Sequence, residues 1–190
     1  MNRIIPMIVF DTPTAKKSSY ADYLNTPEGS KFQLIGGEII EMTSPNLYHQ
    51  EILLNLCIQF KNYLQKNKSG KLFIAPLDVY LSETEVYQPD LFVLLKENFS
   101  KMQETKIEGA PDLVVEVLSP STAYYDMKHK KSVYEKFGVK EYWIVDPMQK
   151  TLEIYFNQDS KFQLQTELTQ TQIAKSILLP ELEINLNEVF

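Results

Sequence analysis

Cysteine is nearly absent from the chain: Cys57 is the only one. No intrachain disulfide can form, and no cysteine-based zinc site is available. Histidine is almost as scarce, with His49 and His129 alone, which excludes a histidine-rich metal site. Only 6 glycines and 10 prolines occur in 190 residues, too few for collagen-like or low-complexity composition. No apolar run approaches the roughly 18 residues of a membrane span. The apolar start of the chain is broken by Pro6, short of a signal segment with its cleavage site. Positive charge is in deficit, with 19 Lys and Arg against 25 Asp and Glu, a net −6. Non-specific coating of nucleic acid needs a basic footprint and is disfavoured, although a local basic groove is not. Walker loops, dinucleotide fingerprints and nucleophile elbows are missing too, so NTPase, dinucleotide and acyl-transfer readings lack support.

What the chain does have is core. Apolar residues make up 44% and aromatics 12%, too apolar for global disorder. The length fits a single domain over residues 1–190, with an irregular N-terminal segment to about residue 31. A soluble, cytoplasmic protein with no membrane association is expected. The pattern predicts a hairpin with Phe32–Ile35 and Glu38–Met42 around Gly36-Gly37. Ser44 as cap and Pro45 as first residue predict a helix to about Lys66, ended by Gly70, with Leu53, Leu56, Phe60, Tyr63 and Leu64 inward. Strands are predicted at Leu72–Leu81, Leu91–Leu95 and Leu113–Leu118, and a second helix at Thr122–Phe137, stopped by Gly138. Glu141–Val145 and Leu152–Phe156 read as paired strands, and the tail as strand plus edge packing. The order implies a mixed α/β sheet with helices against it.

Several residues break these local rules. Glu116 interrupts the apolar strand Leu113–Leu118, on the face of Val114 and Leu118. A buried carboxylate must be neutralised, paired or bound to a cation. Asp90 sits at the mouth of Leu91–Leu95, after Pro89, which suits the first residue of a strand. Two such acids on neighbouring strands would suit Mg²⁺, with water and phosphate oxygens filling its other positions. Each also has a bland reading, an edge acid or a structural salt bridge. On the second helix, Lys130 and Tyr134 are four apart and share a face. If Tyr134 points to the sheet, Lys130 must snorkel or meet an anion. Lys61, Lys66, Lys68 and Lys71 form an acid-free patch, which by itself reads as a solvated face. His49 lies on the apolar side of the first helix, where a core histidine is the ordinary reading. Asp78 interrupts its strand as Glu116 does, and Glu38 and Glu41 are weaker candidates.

The blocks Gln88-Pro89-Asp90, Glu108 to Thr122, and Asp126-x-x-x-Lys130-x-x-x-Tyr134 through Glu141-Tyr142-Trp143 to Asp146-Pro147 resemble the Uma-type family of restriction endonuclease candidates. That family belongs to the PD-(D/E)xK nuclease superfamily. The resemblance is dense from Leu34 to about Tyr155 and includes His49-Gln50 and Ala75 to Val79. It implies a restriction-endonuclease-like core and Mg²⁺-dependent hydrolysis of DNA phosphodiester bonds, with Mn²⁺ substituting. It also implies that Asp90 and Glu116, with the Val117 carbonyl, hold the metal. The superfamily lysine stands two residues after the second acid, where this chain has Leu118. The resemblance moves that role to the following helix and to Lys130, with Lys128 and Lys131 as alternatives. His49, Asp78 and Tyr134 would be supporting residues, and a homodimer follows by analogy with nucleases that cut both strands. The competing expectations are a catalytically degenerate module, with Glu116 merely salt-bridged to Lys130, that binds nucleic acid or a protein, and a purely structural or toxin–antitoxin interaction protein.

Overall fold

Ser19 begins the first helical turn among the described residues. Its hydroxyl accepts from the Asp22 N–H while the Asp22 carboxylate accepts from the Ser19 N–H, closing helix α1 (Tyr20–Tyr23). The computed structural model describes residues 17–27, 31–119 and 125–190, and of Tyr125 and Asp126 the backbone alone. Much of the expected irregular N-terminus, and residues 122–124 of the expected second helix, lie outside the described residues.

The hairpin forms as predicted. Gly36 and Gly37 take φ of 62° and 83°, which a tight turn between β1 (Phe32–Ile35) and β2 (Glu38–Glu41) requires. Helix α2 (Leu47–Asn67) starts later than expected, because Asn46 rather than Ser44 is the cap: its side chain accepts from the His49 N–H at 2.8 Å. Ser44 instead accepts from the Lys31 ammonium. Nor does Gly70 end the helix. Lys68 takes the left-handed cap at φ 50°, and Gly70 opens β3 (Gly70–Ile74), where a Cβ would meet the Leu94 carbonyl oxygen at 2.6 Å.

The predicted strand Leu72–Leu81 is two strands in two sheets. Pro76 cannot donate to a ladder, and the chain leaves β3 there to enter β4 (Asp78–Ser82) in the second sheet. Next come β5 (Glu85–Tyr87), β6 (Leu91–Leu95), β7 (Lys106–Glu108) and β8 (Leu113–Val117). A wide π-helical turn (Tyr125–Lys130) leads into α3 (Lys131–Phe137), which ends at Gly138 with φ 86°. Strands β9 (Glu141–Asp146), β10 (Thr151–Gln158), β11 (Lys161–Thr169), β12 (Ile173–Lys175) and β13 (Glu183–Asn185) complete the chain. Segments β5, β7 and β12 are three residues each, too short to announce themselves by periodicity.

The larger sheet runs β11-β10-β9-β8-β6-β3, with β8 parallel to β9 and antiparallel to β6. One face packs under α2 and the C-terminal segment, through Leu56, Phe60, Val115, Trp143 and Leu182. The other meets α3 and the five-stranded sheet β2-β1-β5-β4-β7, through Val79, Phe92, Val114, Tyr134 and Tyr142. This is the mixed α/β sheet with flanking helices that the sequence implies.

Candidate active site

The register of β6 against β8 pairs Leu91 with Val115, so Asp90 and Glu116 come next to one another as β6 begins and β8 nears its end. The Asp90 N–H donates to Glu116 Oε2 at 3.3 Å, and the Val117 N–H donates to Asp90 Oδ2 at 2.8 Å. Neighbouring strands thus lock the two acids through each other's backbone. Both line a cavity of about 320 Å³ at the end of the sheet, together with His49, Val117 and Lys130.

Glu116 is 2% exposed. Its Oε1 accepts from the Lys130 ammonium at 3.1 Å and the Tyr134 hydroxyl at 2.9 Å. Lys130 is itself 2% exposed and lies over the Tyr87 ring, so its alignment with Tyr134 on the inner face is real. Burial and the Glu116 charge hold the Tyr134 phenol far above its ordinary range, so it remains a donor. Of the alternative lysines, Lys128 is exposed and Lys131 stacks on Tyr155. Burial pulls the Lys131 ammonium down, against the raising charges of Glu153 and Glu135. Lys130 alone of the three lines the cavity.

His49 is buried one turn into α2 and places Nε2 3.3 Å from Asp90 Oδ2. Burial works against the imidazolium, but the hydrogen bond and charge of Asp90 outweigh it, with the Val117 carbonyl and the Glu116 charge adding to the effect. Its pKa stands above the ordinary 6.5. Asp78 does not enter the cavity. Its Oδ1 accepts from the Tyr23 hydroxyl and the Gln88 amide, and only Gln88 lines the space. Tyr134 acts from behind Glu116. Glu38 and Glu41, three apart on β2, alternate to opposite sides of the strand; both are exposed and neither lines the cavity.

Sequence reasoning missed Gln33, which is 4% exposed and lines the cavity from β1. Its Oε1 and the Nδ1 of His49 are buried without a hydrogen-bond partner among the described residues. Two orphaned polar atoms on one cavity mark a space meant for polar contents. The only signal was an amide between Phe32 and Leu34, which alternation alone would place outward.

No group of three or more His, Cys, Asp or Glu suited to a metal occurs among the described residues. The oxygens the sequence offers for a cation here would be two carboxylates and a backbone carbonyl, all hard. That fits a cation such as Mg²⁺, which keeps water and takes substrate oxygens, and not a closed all-protein cage. Asp90 Oδ1 adds a carboxylate oxygen with no hydrogen bond among the described residues.

A mixed sheet that brings two acids from adjoining strands to its end defines a restriction-endonuclease-like α/β fold. The crystal structure of a putative nuclease belonging to DUF820 from Anabaena variabilis ATCC 29413 shares it, with a TM-score of 0.75 and 19% identity over 90% of this chain and 97% of that one. An uncharacterised protein of Synechocystis sp. (strain ATCC 27184 / PCC 6803 / Kazusa) is 28% identical over 160 residues, 82% of this chain and 89% of its own. Residues 19–187 match the family model described as Uma2, putative restriction endonuclease. The chain belongs to the Uma2 family. No described helix is long and apolar enough to cross a membrane.

Proposed function

We propose that the protein is a divalent-metal-dependent deoxyribonuclease that hydrolyses DNA phosphodiester bonds. The observation that carries this is the convergence of Asp90 and Glu116, from adjacent strands, on one cavity with a buried lysine held against the second acid. Asp90, Glu116 and the Val117 carbonyl would hold Mg²⁺, or Mn²⁺ in its place. A bound divalent ion lowers the pKa of water and offsets charge on the phosphate oxygens. The chain's residues do the positioning. The Val117 N–H and His49 orient Asp90, while Tyr134 and the Asp90 N–H orient Glu116. Lys130 presents an ammonium where negative charge develops on the phosphate. The reading extends to a cytoplasmic homodimer.

One observation favours a second reading. Lys130 and Tyr134 already satisfy Glu116 Oε1, so the same geometry suits a degenerate module whose cation is the lysine. Incubation of plasmid and single-stranded DNA with Mg²⁺ separates the two. Wild type cuts and Asp90→Ala does not; cutting that survives the change removes the proposed metal site. Thermal melting adds a second discriminant. A metal-binding native state melts higher with Mn²⁺ by mass action, whereas a purely salt-bridged one does not.

A further inference from the structure

From Ile52 to Leu77 the chain contains no acid, yet it carries Lys61, Lys66, Lys68 and Lys71. That stretch is +4 in a chain of −6, so −10 falls on the remainder. It is the second half of α2, the turn after it, and β3. All four lysines are exposed, and none forms an ion pair among the described residues. Strand β3 ends the six-stranded sheet, so one side of its backbone has no strand beside it.

Two depressions lie between α2 and this edge. One, of about 570 Å³, is lined by Ile58, Lys61, Leu72, Phe73 and Ile74 among others. The second, of about 220 Å³, continues past Lys61, Gln65, Gly70 and Lys71. The first shares Ile74 with the candidate active site, and the two share Lys61, Leu72 and Phe73. The two therefore adjoin one another, and through Ile74 the first adjoins the cavity that holds the acids. This groove beyond the active site contains no acid, its rim is basic, and its floor is apolar; Ile58 and Ile74 are each 49% exposed.

We propose that this groove holds a single nucleic-acid strand, the flank of the strand whose phosphate reaches Asp90 and Glu116. The inference rests on the nuclease reading for what lies at the groove's head. Lysines at the rim suit phosphates, and an apolar floor suits the faces of unpaired bases. A duplex would match only half of this, since it keeps base faces stacked inside and offers phosphates alone. Strand β3 spans five residues, about 16 Å at the usual strand rise, enough for a few nucleotides.

The test is fluorescence anisotropy of a labelled DNA strand of about 12 nucleotides, within the range of single-strand sites, in EDTA so that hydrolysis is off. The variant Lys61→Glu/Lys71→Glu binds at least about tenfold more weakly, and its salt slope falls by about 1.4, the share of two phosphates on a single strand. A blunt duplex of the same sequence competes at least about tenfold less well than the strand. Equal binding by the charge-reversed variant, or equal competition by the duplex, overturns the proposal. Crosslinking of wild type to a 4-thiothymidine strand needs no variant to fold: adducts between Cys57 and Ile74 support the groove, and adducts that all fall outside both it and the active-site cavity overturn it. Binding here without cutting in Mg²⁺ would sink the nuclease reading and keep the groove. Cutting that ignores the two lysines would do the reverse.

Discussion

At the scale of single residues, the pair Glu116–Lys130 sets the energetics of the site. Each is 2% exposed, and neither charge tolerates loss of the other. Lys130→Ala should destabilise the metal-free protein by about 3–5 kcal/mol in urea denaturation, because a buried carboxylate loses its cation. Replacing both partners, as Glu116→Gln with Lys130→Met, should recover most of that loss, since a neutral pair of similar volume carries no uncompensated charge. If the double variant is as unstable as Lys130→Ala, the pair is not the source of the cost. This residue-level logic was legible in the sequence. Asp90, Glu116 and Lys130 each violate a local pattern, and a violation that persists in a folded chain has a reason. The tie from His49 to Asp90 was not legible, because it depends on where α2 crosses the sheet. Neither was Gln33, whose burial comes from the hairpin folding back over the cavity.

At the scale of elements, the Glu135 carboxylate of α3 fastens the helix to β11. It accepts from the Lys161 ammonium at 2.8 Å and from the Phe162 N–H at 2.6 Å. The Lys161 hydrogen bond and then the Phe162 amide lower its pKa, partial burial opposes them, and the charges of Lys161 and Lys131 add to the lowering. The group sits below its usual 4.5 in the folded state. Its contribution is therefore present above that value and is lost as pH falls through the depressed one. The urea midpoint of wild type should drop across that acidic window more than that of Glu135→Gln; parallel curves would show that the anchor is not proton-linked. Element existence was largely readable from periodicity, because α2, β6, β8 and β9 are long or strongly apolar. The splitting of residues 72–81 was not, since an apolar run does not reveal that Pro76 hands the chain from one sheet to another. The helix start was misplaced for a similar reason: Ser44 and Asn46 are both capable caps, and only packing chooses between them.

At the scale of the whole molecule, the C-terminal segment closes one face of the core, with Ala174, Leu179, Leu182, Ile184 and Val189 packed beside α2. Glu141, at 0% exposure, is its latch. One oxygen accepts from the Trp143 indole at 2.6 Å, and the other from the Ile177 and Leu178 N–H groups at 2.9 and 2.7 Å. Glu141→Ala orphans three donors, and each buried donor left unpaired costs about 1–3 kcal/mol. A loss of at least about 3 kcal/mol is expected, with faster amide exchange at Ile177 and Leu178; unchanged exchange there would show that the segment is held by its apolar contacts alone. From the sequence this acid reads as an ordinary strand start, because two of its partners lie 36 and 37 residues away.

The most direct test of the whole account is Mn²⁺ binding to metal-free protein, followed by the electron paramagnetic resonance signal of the free ion. The account predicts one site per chain in wild type and none in Asp90→Asn, whose fold is checked by its unchanged circular dichroism. Binding that Asp90→Asn retains, or no binding by wild type, would contradict it.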